Sequence, residues 1–328
     1  MELKKILLSA VLSLLFSLSC LAQGSGYSIA GGLITEDALI RPVEFRNDSI
    51  CEGRGTGTGG GFEAAAWIIR RFKDAGVIPF GSYSKAFRYD GVTGHNVIGI
   101  CPSSTPSDRY VIIAAHYDNI GVLSGHFYPG ADSNASGVSV LVNLADVFCR
   151  IRESGGYIGC NLIFVALDGK QQDMAGAQAL FDSMSGGAFF DPYNHRMVSM
   201  DRVKMMVNID IIGSTLEPVR RDRKDYLIML SNDTSLQSAM SAINMMHEPS
   251  MDLSFDYYGS KDFTDLFLRR IGDQKVFVEH GVPSVLFTSG ITMNTNKVDD
   301  TSATIDYPIL KRRTQLIFRW LETMMRSR

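Results

Sequence analysis

Three short, largely apolar runs constrain this chain more than any other feature. Tyr110 to Ala115, Asn161 to Leu167 and Val203 to Ile209 place hydrophobic residues at successive positions, the pattern of strands covered on both faces. Around them the period changes. Val138, Leu141, Leu144, Ala145, Phe148 and Ile151 fall at helical spacing, and Ala175 to Met184 reads as a second helix. Val285-Leu286-Phe287 reads as a fourth strand and Thr314 to Met325 as a closing helix. Such alternation predicts a doubly wound α/β fold built on a mostly parallel sheet.

In a sheet of this kind, ligands bind beyond the carboxyl ends of the strands. The first run ends in His116-Tyr117-Asp118, the second in Asp168 and the third in Asp210. Strand ends are polar in any case, yet His-x-Asp beside two further acids is a constellation that holds metals. A second arrangement of the same residue types is a hydrolytic triad of Ser133, His116 and Asp118. The plain alternative is that Ser133 or Asn134 caps the helix that follows.

The first residues read as a targeting segment. Lys4 and Lys5 precede an apolar run from Ile6 to Ala22, which Ser9, Ser13, Ser17 and Ser19 interrupt, as in secretory signals and unlike a membrane span. Residues 1–22 are therefore expected to be a signal peptide, with export to a periplasmic or extracellular space. Acylation of Cys20, giving a lipid-anchored protein, is the competing reading. Residues 23–328 then form one domain, with 23–90 as a helical N-terminal segment packed on it. A net charge of −3 argues against a nucleic-acid partner. Export leaves Cys51, Cys101, Cys149 and Cys160 with pairings open; Cys149, in an apolar helix, and Cys160, before an apolar strand, are expected as buried free thiols. The run Gly53 to Gly61 lacks the lysine of a phosphate-binding loop and reads as a turn that packs the following helix.

In order along the chain stand Asn96-Val97-Ile98-Gly99-Ile100, Ala115-His116-Tyr117-Asp118, Pro129 to Gly137, Asp168-Gly169, Asn208 to Gly213, Gly281-Val282-Pro283 and Asp299-Asp300-Thr301. This series resembles the zinc exopeptidase family of bacterial leucyl aminopeptidases and glutaminyl cyclases, over nearly the whole mature chain. The resemblance implies a three-layer fold, with helices on both faces of a mixed, mostly parallel twisted sheet. It also implies a pair of zinc ions bridged by a carboxylate and a water that a glutamate deprotonates.

Position by position, most of that site is replaced. His116 and Asp210 match two zinc ligands, and Asp118 matches the acid that orients the imidazole. The bridging carboxylate falls on Ser133, while Asp132, one residue earlier, is expected to point elsewhere. The general base falls on Lys170, the next ligand on Gln171, and the final histidine on Asn296, or on Asn294 in a register two residues shifted. Too few anions remain to offset two zinc ions, and an ammonium at the base position repels metal. Lys170 is instead expected to pair with Asp210 or Asp118. His126 and His280 are the remaining imidazoles within reach of the site. No cofactor is expected; one weak zinc at His116 and Asp210 is the alternative. Two functions compete: a non-catalytic protein whose cleft binds a peptide or protein terminus, and an active exopeptidase or cyclase with a single altered metal site. Phe255, Tyr257, Tyr258, Phe263 and Phe267 read as core rather than as cleft wall. Oligomeric state is open.

Overall fold

The computed structural model describes residues 30–47, 49–215, 223, 225–247 and 249–326; the expected signal peptide and Cys20 lie outside them. Among the described residues, eight strands form the central sheet in the order β1-β2-β6-β3-β9-β12-β10-β11, β1 being Ile78–Tyr89. Its middle is parallel: β6 (Asn161–Leu167), β3 (Tyr110–His116), β9 (Val203–Ile209) and β12 (Ser284–Thr288) run side by side in one direction. Antiparallel pairings join β2 (Val92–Cys101) to β6, and β10 (Tyr226–Ser231) to β12. The short β11 (Asp252–Ser254) runs parallel to β10 at the edge. This is the mixed, mostly parallel twisted sheet that the resemblance implies.

Every residue of β3 and β6 is buried, and the two-residue period divides them between faces. Val111, Ile113 and Ala115 join one core cluster with Leu162, Phe164 and Ala166. Ile112, Ala114, Ile163 and Val165 join a second. Helices α1 (Glu36–Asn47), α2 (Gly59–Asp74), α3 (Ser136–Glu153) and α8 (Tyr307–Arg326) supply residues to the first cluster. Helices α4 (Ala175–Ser185) and α7 (Lys275–Glu279) cover the other face. Among the described residues no helix is long and apolar enough to cross a membrane.

One expected boundary needs correction. The segment 23–90 is not helical to its end, because Ile78–Tyr89 forms strand β1, which pairs antiparallel with β2. Tyr83, Phe87 and Tyr89 share the two-residue phase, but Lys85 stands among them, and Gly81 and a register shift between Pro79 and Ser84 break the pattern further. Only one face of this edge strand is covered, so its hydrophobic signal is weak. Cys101, Cys149 and Cys160 are buried free thiols, as expected for Cys149 and Cys160, and Cys51 is buried as well.

The glycine run serves packing. A Cβ on Gly60 would sit 2.0 Å from the Cys51 carbonyl oxygen, and one on Gly53, which has φ +66°, 2.6 Å from the carbonyl oxygens of Gly121 and Tyr128. This close approach buries Arg54 completely. Its guanidinium donates to the carbonyls of Tyr117 (2.7 Å), Pro129 (2.6 Å) and Gly130 (2.8 Å), tying the N-terminal segment to both loops above β3. Burial lowers the Arg54 pKa to about 10, against the pull of Cys51, Asp300 and Asp118. Arg54→Ala leaves these carbonyls without their donor and is expected to cost about 3 kcal/mol of stability. A urea transition unchanged to within about 0.5 kcal/mol would refute the clamp.

Candidate functional site

The carboxyl ends of β3, β6 and β9 converge on one rim, and the backbone there explains where each polar side chain goes. His116, the last residue of β3, is 2% exposed. Its Nε2 lies 3.0 Å from Asp210 Oδ1 and its Nδ1 3.0 Å from the Asp118 carbonyl oxygen. The Asp118 carboxylate stands farther off, at 3.6 Å. Asp118 therefore orients His116 mainly through its backbone, while its Oδ2 accepts from the Gln171 amide N–H at 3.1 Å. Both imidazole nitrogens are engaged, so Ser133, His116 and Asp118 do not assemble as a nucleophilic triad.

Lys170 follows β6 in the turn at Asp168-Gly169. Its Nζ donates to Asp210 Oδ2 at 2.8 Å and stands 3.8 Å from Asp273 Oδ2. The expected pairing with Asp210 is thus formed, and the second acid beside it is Asp273 rather than Asp118. Burial alone would pull the lysine toward neutrality, but Asp210 and Asp273 hold its pKa above the usual value. Asp210 is correspondingly held below the carboxylate range: burial raises its pKa, and Lys170 and His116 more than reverse this. Burial disfavours the His116 cation too, yet Asp210 and Asp118 lift its pKa to about 10. His116, Asp210, Lys170 and Asp273 thus form one buried row of basic and acidic groups, in which burial pushes the Asp273 carboxyl up.

The replaced ligand positions meet each other. Ser133 Oγ donates to Asn296 Oδ1 at 3.4 Å. Asn296 rather than Asn294 lines the cleft, beside Ser133, Lys170 and Gln171. Asp132 points away, as expected: its carboxylate accepts from the N–H groups of Gly213 (2.6 Å) and Ser214 (3.2 Å) and from Ser136 Oγ (3.0 Å). Asn134 takes the capping role, accepting from Gly137 N–H at 3.0 Å. Asp168 is also structural: Thr56, His95, Tyr117 and Gly169 all donate to it. Neither further histidine reaches the site. His280 Nδ1 bonds the Val276 carbonyl at 2.7 Å and its ring packs on Phe181, while His126 is exposed on the hairpin of β4 (Gly121–Leu123) and β5 (His126–Tyr128).

Above this floor opens a cleft of about 390 Å³, walled by Phe263, Leu266, Phe267, Ile271, Leu286 and Ile291. Phe263 and Phe267, on α6 (Lys261–Arg269), are therefore cleft residues, a correction to the core assignment. Tyr257 is core, stacked on Phe267 with ring centroids 3.9 Å apart and donor-bonded by Ile291 N–H. The strong amphipathicity of α6 was the available signal, since a helix with few buried residues but a sharp apolar stripe must face something. Asp273 carried no such signal, being a lone acid in a loop.

A pair of zinc ions does not fit the residues present. Of the positions matching ligands, only His116 and Asp210 are charged or imidazole donors, and the Lys170 ammonium stands against the latter. Among the described residues no group of three or more His, Cys, Asp or Glu side chains is arranged to hold a metal.

A sequence model of peptidase family M28 matches residues 96–321. A probable zinc metalloprotease of Pyrenophora tritici-repentis (strain Pt-1C-BFP) is 24% identical over 257 residues, which are 68% of this chain and 55% of that protein. The chain thus spans about half the length of that relative. The LapA aminopeptidase of Legionella pneumophila superposes with a TM-score of 0.69 at 14% identity, over 93% of this chain and 75% of that one. Macrostomum lignano glutaminyl cyclase gives 0.67 at 15% identity, over 92% and 93%. At these identities the two structures establish a shared fold alone.

The position of Asp132 generates a prediction. Asp132→Ala orphans two buried N–H groups and is expected to cost about 2–4 kcal/mol of stability while leaving any cleft ligand's affinity unchanged at temperatures where the variant stays folded. Calorimetric titration and thermal melting together check this; a change in affinity without a change in melting would contradict it.

Proposed function

The chain belongs to peptidase family M28, and on that premise we propose that it is a non-catalytic member, exported from the cytoplasm, whose cleft binds the terminus of a peptide or protein. The observation that carries this reading is the Lys170 ammonium, 2.8 Å from Asp210 at the position of the general base. Hydrolysis or cyclisation needs a group there that accepts a proton from the attacking atom. An ammonium already hydrogen-bonded to a carboxylate only donates. Ser133, Gln171 and Asn296 add no negative charge to hold metal in its stead.

The cleft remains a binding site in size and chemistry. Its volume of about 390 Å³ is within the range of small-molecule and peptide-end pockets, and apolar walls above a few polar groups are the usual composition of such pockets. A chain end presents one side chain to the walls and backbone amides to Ser133, Gln171 and Asn296. Export rests on the basic start and apolar run of residues 4–22.

Purified protein supplied with zinc is expected to turn over neither aminoacyl anilides nor peptides with N-terminal glutamine, and to retain no stoichiometric zinc after dialysis. Short peptides with an apolar end are expected to bind, with affinity reduced about tenfold by Phe263→Ala, the loss of one aromatic contact worth about 1.4 kcal/mol. Zinc-dependent release of an N-terminal residue would overturn the proposal in favour of an exopeptidase with one altered metal site. Failure of both end-blocked and free peptides to bind would remove the terminus as ligand.

A further inference from the structure

The helix that walls the cleft has little to hold it in place. Of the nine residues of α6 only Leu268 is buried, and a short helix owes most of its stability to the face it packs. Its last turn also lacks the usual close. Neither Arg270 nor Ile271, which follow it, takes the left-handed conformation that ends many helices. The carbonyls of a final turn then need donors from elsewhere. Leu266 has the N–H groups of Arg270 and Ile271. Phe267 and Leu268 share one side chain, Gln274, whose Nε2 donates to their carbonyl oxygens at 2.6 and 3.0 Å.

Gln274 is fully buried at the start of α7, whose Val276 and Phe277 belong to the second core cluster. Its Oε1 accepts from Asn208 Nδ2 at 2.8 Å. Asn208 lies on β9, two residues before Asp210, and pairs in register with Leu286 of β12, a cleft residue. The amide fits only this way round, because with oxygen and nitrogen exchanged its oxygen would face two carbonyl oxygens. The turn Ile271-Gly272, also part of the cleft, rests on the same group: a Cβ on Gly272 would sit 2.2 Å from Gln274 Oε1 and 2.3 Å from Nε2. One buried amide therefore joins the strand beneath the floor, the end of α6 and the turn that completes the wall.

We infer that Gln274 is a positioning residue that sets the gap between the apolar wall and the floor, and with it the size of the apolar side chain the cleft accepts. Being fully buried, it acts only through Phe267, Leu268, Ile271 and Gly272. This rests on the reading of the cleft as a site for a chain end, and names what selects among ends. A difference of one methylene is felt only where the walls do not yield. The competing account is a plain helix cap, whose loss lowers stability without changing selection.

Full-length wild type, Gln274→Met and Asn208→Ala distinguish the two. Methionine keeps the length of glutamine without its donors, and Asn208→Ala cuts the amide from β9 while leaving its bonds to α6. Calorimetric titration uses short peptides that differ only in the end residue, from alanine through leucine to phenylalanine. Wild type is expected to separate the best size from its neighbours by about tenfold, and both variants to narrow that spread to about threefold. Hydrogen exchange without ligand is expected to quicken about tenfold in the amides of residues 263–271 and to stay unchanged in β9 and β12. Lower melting temperatures with the spread intact overturn the inference, as does exchange that quickens evenly through the sheet. If Gln274→Met does not fold, Asn208→Ala gives the same two readouts. If wild type binds no peptide, the chain-end reading falls and exchange alone decides: quickening confined to 263–271 upholds Gln274 as the wall's positioning residue, and its absence overturns it.

Discussion

Charge compensation around Asp210 is the constraint on which the rim depends. The carboxylate sits at the end of a central parallel strand, 9% exposed, with His116 on one oxygen and Lys170 on the other. Removing charges from water costs several kcal/mol per ion, and the protein recovers this only where opposite charges are close and well hydrogen-bonded. Asp210 meets that condition, with His116 at 3.0 Å and Lys170 at 2.8 Å, whereas Asp273 has only Lys170, at 3.8 Å. The arrangement also bears on what the site can do, because His116, Asp210 and Lys170 are each already engaged by another side chain of the rim.

That commitment is enforced from outside the rim. Arg54 fastens the loops that follow β3 by their carbonyls, and Asp300 accepts from the N–H groups of Asp132 and Ser133 at 2.8 and 3.1 Å. Asp132 in turn holds Gly213 and Ser214 above β9. Each is a buried polar group satisfied by backbone, so these loops cannot shift without leaving donors or acceptors unpaired. Ser133 and Asn296 are thereby held within reach of each other as a hydroxyl and an amide, at 3.4 Å.

The fold was largely legible because its central strands are buried on both faces. Asn161–Leu167 and Val203–Ile209 were recognisable to the residue, since a fully covered strand is apolar throughout. The edge strand Ile78–Tyr89 was not, because one-sided burial and a bulge dilute its period. The rim shows the same division. His116, Asp210 and Lys170 follow recognisable strands, so their meeting could be anticipated from topology. Asp273 could not, since its approach to Lys170 depends on how a loop between two helices folds back. Phe263 and Phe267 had the right period but an ambiguous destination, for a helix stripe facing a cleft reads like one facing the core.

These two parts of the cleft, polar floor and apolar wall, reward different features of a ligand. On the floor, Lys170 and His116 stand against Asp210, Asp273 and Asp118, so both cations are already offset. An anionic group entering there gains little attraction and still gives up its hydration. The walls offer Phe263, Leu266, Phe267, Ile271, Leu286 and Ile291, where burial contributes roughly 25 cal/mol per Å² of apolar surface. A ligand of the proposed kind would therefore be chosen by the size and shape of one apolar side chain, and the neutral donors and acceptors of Ser133, Gln171 and Asn296 would meet the amides beside it. On the proposed reading, the strongest contact of a bound peptide end would be to these apolar walls rather than to reacting atoms, which is the physical difference between holding a chain end and turning it over.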